Sequence, residues 1–315
     1  MFPIPYSLFP IPHSPFPIPH SPPSPDTSEL KLTLMNESQP ENNWQRWYEE
    51  LTQTQPSEYR KNWYGDVASA YNRTRPRYPR EIVDRALEIA QLPPDGTILE
   101  LGCGPGTATV DFAKSGLGMV CLEPSVDACE LARQNCDRYP NVEILNTTFE
   151  DWPLEAGRFS AVLAATSFHW MPRDIACRKA AAALGDRGSL ILLWNTPPQV
   201  DRELFQTLRR AYQTHAPKLD RYEDKATYEE NFRSFGRMVL DSGYFQDLVT
   251  EQLTRHVTYS LEDYLALLST LSPYIALETA QRERLFAELR GILERNFGST
   301  LELFHFCALQ VVRKI

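Results

Sequence analysis

The 315-residue chain lacks several features that would assign it to a broad class at once. No stretch reaches the roughly 18 to 20 unbroken apolar residues that a spanning helix needs, so no membrane span is expected. Positive charge is in deficit: Lys and Arg total 32 against 41 Asp and Glu, a net charge of −9. A chain of that sign has no general attraction to nucleic acid or to an anionic membrane, and no nucleic-acid partner is expected. The six cysteines (Cys103, Cys121, Cys129, Cys136, Cys177 and Cys307) form no CxxC pair. They read as reduced thiols of a cytoplasmic protein, with no metal. Cys129 and Cys136 share a helix face and leave a metal or disulfide alternative, but buried cysteines are the commoner outcome.

With 42% hydrophobic and 23% charged residues, the composition is that of a globular protein with a real core. Residues 1–43 are expected to be a disordered, Pro-rich N-terminal tail. Its first part repeats Phe-Pro-Ile-Pro, as in Phe9-Pro10-Ile11-Pro12 and Phe16-Pro17-Ile18-Pro19. Proline at nearly every second position removes amide donors and fixes φ, leaving polyproline II or disorder. A proline-recognition ligand is one reading of the repeat. Translation upstream of a true start at Met35 is the favoured one, because an ordinary polar lead-in follows there.

The segment from Trp44 to Tyr78 is aromatic and charged. Pro79 then suits the first turn of a helix carrying Val83, Ala86, Leu87 and Ala90 at helical spacing. Beyond Pro93-Pro94-Asp95-Gly96, strand and helix patterns alternate, as in a parallel sheet covered on both faces. Strands are expected at Thr97 to Leu101, Met119 to Glu123, Val142 to Leu145, Phe159 to Ala165 and Ser189 to Trp194. Helices are expected at Thr107 to Lys114, Ser125 to Arg138 and Arg173 to Leu184. After Trp194 come polar helical stretches, an alternating segment near Leu248 to Tyr259, two further helices and a strand-like run from Leu301 to Val312. The predicted fold is α/β, doubly wound and Rossmann-like: a seven-stranded sheet, mostly parallel with a late antiparallel strand, plus a helical insertion or lid. Residues 44–315 form the domain, with a core at 80–196 and a helical lid at 197–299.

The first strand ends in Glu100 and runs into Gly102, Gly104 and Gly106 before a helix. That places a tight turn without side chains at the carboxyl edge of the sheet, where a nucleotide-like ligand can approach the backbone. Glu123, at the end of the second strand, stands 21 residues beyond Gly102, a spacing at which a carboxylate meets ribose hydroxyls. A dinucleotide site would show G-x-G-x-x-G and amides facing a pyrophosphate. Here Pro105 has no amide to donate, Thr107 holds the third glycine position, and Glu100 would repel a pyrophosphate. The same charge suits the cationic amino end of S-adenosylmethionine.

At these residues the sequence resembles the class I S-adenosylmethionine-dependent methyltransferases. The resemblance rests on Ile98-Leu99-Glu100-Leu101-Gly102-Cys103-Gly104-Pro105-Gly106-Thr107, Leu122-Glu123-Pro124-Ser125, Thr148-Phe149-Glu150-Asp151-Trp152 and Ser167-Phe168-His169-Trp170-Met171. With Tyr71 to Pro79, these segments look like the branch holding trans-aconitate and ubiquinone/menaquinone (type 11) methyltransferase-like enzymes. The resemblance implies that Gly102, Gly104 and Gly106 line the methionine and ribose portion and that Glu123 binds the ribose, with Pro124 against adenine. It also implies that Thr148 and Phe149 hold the adenine edge, with Glu150 as a substitute for the aspartate many relatives carry at the Thr148 position. Thr166 would face the methionine part, and Tyr71 and Arg75 would fold over the cofactor.

His169 follows the fourth strand at the carboxyl edge and is the candidate catalytic base; a pocket-wall histidine is its alternative. The expected function is methyl transfer from S-adenosyl-L-methionine to a small-molecule acceptor through an oxygen, nitrogen or carbon nucleophile. A non-catalytic S-adenosylmethionine-binding protein and an NAD-dependent oxidoreductase are the alternatives.

Overall fold

Seven strands form one mixed sheet in the order β3-β2-β1-β4-β5-β7-β6. The structure, a computed structural model, describes residues 67–315. The Pro-rich repeat, the expected tail at 1–43 and most of the aromatic segment from Trp44 lie outside the described residues.

The chain enters through α1 (Ala68–Thr74) and α2 (Arg80–Ala90), then β1 (Thr97–Leu101), α3 (Thr109–Ala113), β2 (Gly118–Glu123), α4 (Val126–Cys136), β3 (Val142–Asn146) and β4 (Phe159–Ala165). A 3-10 turn at Phe168–Trp170 leads to α5 (Arg173–Ala183) and β5 (Leu184–Asn195). There follow α6 (Arg202–His215), α7 (Lys225–Leu240), β6 (Phe245–Ser260), α8 (Leu261–Ser269), α9 (Ser272–Ile275), α10 (Thr279–Phe297) and β7 (Thr300–Lys314). Strands β1 to β5 pair in parallel, and β7 runs antiparallel to both β5 and β6.

Alternation along each strand decides which layer it holds. In β1, Ile98 joins the side covered by Val83 and Ala86 of α2 and Phe112 of α3, whereas Leu99 and Leu101 join the side covered by Ala180 of α5 and Phe232 of α7. Both faces are therefore buried, which is why these strands are nearly continuous apolar runs. A third apolar cluster, from Leu208 of α6, Leu265 of α8 and Leu289 of α10, lies apart from these two.

Several boundaries differ from the sequence expectation. Helix α2 closes on Gln91 in the left-handed conformation, its N–H donating to Leu87 O at 3.0 Å. The expected helix from Thr107 shrinks to Thr109–Ala113, because the chain is still turning at Gly106, whose N–H donates to Cys103 O. The 197–299 region is not all lid. Helix α7 buries Phe232, Phe235, Met238 and Val239 in the same core as Trp194 of β5, on which Phe235 stacks at 4.2 Å between ring centroids, and β6 extends the sheet. All six cysteines are free and buried, so Cys129 and Cys136 are ordinary core residues. Among the described residues no helix is long and apolar enough to cross a membrane.

Candidate functional site

Strand order reverses between β1 and β4, since β2 and β3 lie to one side and β4 and β5 to the other. In an open α/β sheet that crevice, outside the carboxyl ends of the strands, is where ligands bind. A cavity of about 380 Å³ lies there.

The glycine loop forms one wall, and its three glycines have three different reasons to be glycine. All have positive φ: +65° at Gly102, +56° at Gly104 and +82° at Gly106. A Cβ on Gly102 would stand 2.9 Å from Ser167 Cβ, so Gly102 permits the β1 and β4 loops to touch. A Cβ on Gly106 would meet Cys136 Sγ at 3.4 Å and Ala132 Cα at 3.6 Å, so Gly106 packs the loop onto α4. A Cβ on Gly104 would meet nothing within 4 Å. Gly104 lines the cavity and Gly106 does not.

Glu123 closes β2 and is 8% exposed on the cavity wall. Its two oxygens accept separate backbone amides, Oε2 from Gly104 N at 2.9 Å and Oε1 from Ser125 N at 2.8 Å. The same carboxylate thus holds the glycine loop and the entrance to α4. Burial pushes its pKa up to about 7 even against those two donors. Glu100 is fully buried beneath the loop, and it is not among the residues lining the cavity. Its Oε2 accepts from Thr109 Oγ1 at 2.6 Å and from the Cys121 thiol at 3.6 Å. Burial pushes this carboxyl up to about 7 as well, with the nearby Glu123 adding in the same direction. Glu100 therefore anchors the start of α3 from behind.

Pro124, Thr148, Phe149 and Glu150 line the β2–β3 end of the cavity. The Thr148 hydroxyl is turned toward its own loop, donating to Asp151 Oδ2 at 2.8 Å and accepting from Asp151 N at 3.0 Å. That leaves Glu150 and Asp151 as the further carboxylates on this wall; Asp151 was not among the expected site residues.

At the opposite end stand Tyr71, Arg75, Tyr78, Thr166 and Asn195. The Arg75 guanidinium lies 4.7 Å above the Tyr71 ring centroid. Its Nε and Nη2 donate to Thr270 Oγ1 and O, each at 3.1 Å. Arg73 pairs with Asp263 of α8 at 3.0 Å, and the Tyr259 hydroxyl donates to Thr74 O. On the other side, Asn135 of α4 donates to both Asn72 Oδ1 at 3.0 Å and Pro105 O at 2.8 Å. Helix α1 is thereby tied to α8 and to the glycine loop, with the cavity between them.

Thr166 has φ +55°, a left-handed conformation that costs a β-branched residue on the order of 1–3 kcal/mol. Three bonds over-determine it. Its N–H donates to Leu193 O at 2.7 Å, its Oγ1 accepts from Asn195 N at 3.1 Å, and the same Oγ1 lies 2.7 Å from the Tyr78 hydroxyl. Asn195 is itself held, donating to Pro76 O at 3.1 Å and accepting from the Cys307 thiol at 2.8 Å. Asn195 could have been found as the last residue of its strand, by the rule that singled out Glu123. Tyr78 carries no such signal, because its partner lies 88 residues away.

The expectation for His169 is corrected. Its ring is fully buried, packs against Trp170, Trp194 and Phe235, and does not line the cavity. Burial lowers its pKa to about 3, far from the value a general base needs near neutral pH. The histidine sits in the 3-10 turn after β4, which folds its side chain toward the sheet core rather than toward the crevice.

Residues 98–188 match the model of a methyltransferase domain. An uncharacterized methyltransferase of Schizosaccharomyces pombe is 26% identical over 236 residues, 73% of this chain and 86% of that protein. An uncharacterized methyltransferase of Mycobacterium tuberculosis is 33% identical over 133 residues, 42% of this chain and 52% of the relative. The chain thus spans about half the length of the first curated relatives it matches. In fold it is similar to a solved structure from Anaeromyxobacter dehalogenans, provisionally described as a type II methyltransferase, with a TM-score of 0.57, 22% identity and coverage of 76% of this chain and 97% of that one. The match over residues 98–188, with the glycine loop and the acidic end of β2 inside it, identifies a class I S-adenosylmethionine-dependent methyltransferase domain in this chain, and the solved structure shares its fold.

Proposed function

We propose that this protein transfers a methyl group from S-adenosylmethionine to a small-molecule acceptor. The observation that carries the reading is Gly104: a positive-φ glycine on the cavity wall, with open space where a side chain would stand, bonded through its amide to the acidic end of β2. The residues present fit the cofactor. Thr107 Oγ1, on the cavity wall, is buried without a hydrogen-bond partner among the described residues. Each Glu123 oxygen keeps a second lone pair for a ribose hydroxyl beyond the amide it already accepts.

Glu123 and Asn195 close β2 and β5, which are three strand spacings or roughly 14 Å apart. A ribose on Glu123 directs the adenine toward Pro124, Thr148 and Phe149, and the methionine portion toward Thr166. When bound, the cofactor supplies an electrophilic methyl on a sulfonium. Tyr71 and Arg75 cover that end, and α1 with its ties to α8 and to the glycine loop shields it from water. The chain's contribution to rate is then alignment of two reactants and exclusion of solvent. A chamber roofed in this way suits a small acceptor better than a polymer.

Incubation with methyl-labelled donor and a metabolite extract is expected to yield S-adenosylhomocysteine together with a labelled small molecule. Donor binding without turnover across a broad acceptor panel would leave a binding protein instead, and preferential binding of NAD would overturn the cofactor assignment. His169→Ala is expected to lower the unfolding midpoint, since large-to-small changes in a core typically cost about 2–5 kcal/mol. Its affinity for S-adenosylhomocysteine should stay at the wild-type value; a large loss there would return His169 to the binding site.

A further inference from the structure

A second cavity, of about 150 Å³, lies in the region after β5, walled by the segment that leads into α6, by α6 itself, the start of α7, α8 and α9. It shares no lining residue with the cavity at the glycine loop, although Pro197 and Pro198 on its wall follow directly on Asn195 and Thr196, which line that one. Aromatic side chains dominate it: Phe205, Tyr212, Tyr222, Tyr228, Tyr264 and Tyr274. Three of them form a continuous run, with Phe205 stacked on Tyr212 at 5.7 Å between ring centroids and tilted on Tyr222 at 5.5 Å. A cavity of this size holds one benzene-sized ring, and contact with other rings is the packing it offers.

Hydrogen-bond donors are built into this wall. Tyr264 is 3% exposed, and its hydroxyl makes no hydrogen bond to a described residue. The oxygen is nonetheless reachable from outside, and the cavity is the opening on which Tyr264 borders. Tyr212 and Tyr274, buried as deeply on the same wall, place their hydroxyls 2.9 Å apart. Two O–H protons meet there and one suffices for the contact, so a second donor remains whichever hydroxyl gives. Burial holds all three phenols above their ordinary pKa, which keeps them protonated. Charge, by contrast, is already paired or solvated. Glu223, the carboxylate among the described lining residues, meets Arg221 at 2.7 Å and also bonds the Tyr228 hydroxyl, and Lys218 is exposed.

We propose that this cavity is a second ligand site, which takes a neutral aromatic ring carrying a hydrogen-bond-accepting oxygen, as in an aryl ketone. The wall rings supply stacking area. Tyr264 and the Tyr212–Tyr274 pair supply donors that have no protein acceptor of their own, so an oxygen on the ring gains a bond that a hydrocarbon ring cannot make. An organic cation would meet a carboxylate already held by Arg221, and an anion would give up its water for a wall of neutral rings. The inference concerns a site apart from the glycine-loop cavity and stands independently of the function proposed for that one.

The test uses the full chain with acetophenone as probe and ethylbenzene, nearly the same shape without the oxygen, as control, each followed by ligand-observed NMR titration. Wild type is expected to bind acetophenone saturably and more tightly than ethylbenzene. Tyr264→Phe, and the double variant Tyr212→Phe with Tyr274→Phe, keep the rings and remove the donors; both are compared with wild type well below their unfolding midpoints. Each should weaken acetophenone roughly two- to tenfold, the worth of a neutral hydrogen bond, and leave ethylbenzene unchanged. Saturating S-adenosylhomocysteine should leave the acetophenone titration in place, because the two cavities have no wall residue in common. Absence of saturable acetophenone binding, equal affinity for the two probes, acetophenone binding that neither variant alters, or displacement of acetophenone by S-adenosylhomocysteine would each overturn the site. Failure of wild type to bind S-adenosylhomocysteine at all would instead overturn the proposed function and leave the acetophenone result standing.

Discussion

Gly104→Val is expected to weaken S-adenosylhomocysteine binding on the order of 10- to 100-fold while the protein still folds. The reason is specific to this glycine. A Cβ at Gly104 meets no protein atom within 4 Å, so an isopropyl group there occupies ligand space and no core space. Forcing extra methyl groups into a filled site costs typically about 1–3 kcal/mol, and about 1.4 kcal/mol is a factor of ten in affinity. The folded protein bears a separate cost, because a β-branched residue at φ +56° is strained by on the order of 1–3 kcal/mol. Gly104→Ala is the control, carrying the same backbone strain with a smaller side chain, and should lose less affinity. Gly102→Ala should behave differently: with Ser167 Cβ only 2.9 Å away, its first effect is on stability. Full affinity in Gly104→Val would show that the ligand does not lie against this loop.

S-adenosylhomocysteine binding is expected to release protons between about pH 6 and 7, and Glu123→Gln should remove most of that release. The free protein holds Glu123 at a pKa of about 7, raised by burial from 4.5. Ribose hydroxyls donate to a carboxylate and favour its ionised form, so binding pulls the pKa down. A group that loses its proton on binding makes affinity rise with pH, up to the free-state pKa, and level off above it. Calorimetry at pH 6.5 in buffers of different ionisation enthalpy measures the release directly. Glu123→Gln should also bind at least about tenfold more weakly, since a hydrogen bond to a charged group contributes about 1.5–3 kcal/mol. Glu100 has a similar raised pKa but lies off the cavity wall, so Glu100→Gln should keep most of the proton release. Proton uptake by wild type would contradict the assignment of Glu123 to the ribose.

The parts of the fold visible in sequence are those governed by local pattern. Strands β1, β2, β3 and β4 are apolar runs between glycine, proline and capping signals, and each agrees with expectation to within about a residue. Ser125 caps α4 as expected, accepting from Ala128 N at 3.3 Å. Strand β5 begins at Leu184 instead of Ser189, because Leu184 pairs with Phe159 of β4; residues 185–188, GDRG, read as a turn and form an irregularity before the register resumes with Ser189 opposite Ala161. In the same way β6 reaches Ser260 from Phe245 only because β7 offers it an antiparallel partner along nearly its whole length. Pairing energy that comes from a distant strand leaves no mark on the recruited residues.

The candidate site divides along the same line. That the glycine turn and Glu123 adjoin was legible, because a strand-to-helix turn and the end of the next strand must lie side by side in a parallel sheet, whatever the rest of the chain does. Direction at His169 was not legible. His169 and Thr166 are three residues apart after the same strand, yet the 3-10 turn carries the histidine into the core and a left-handed φ turns the threonine toward the crevice. Sequence alone therefore determined that a class I methyl-donor loop is present and which strand ends flank it. Only the tertiary structure decided which of the glycines line the cavity, and that Tyr78, Thr166 and Asn195 from three separate segments meet at one oxygen. The reason is physical: backbone periodicity is set by neighbours in the chain, whereas the direction of a side chain at a crevice is set by whatever distant elements pack beside it.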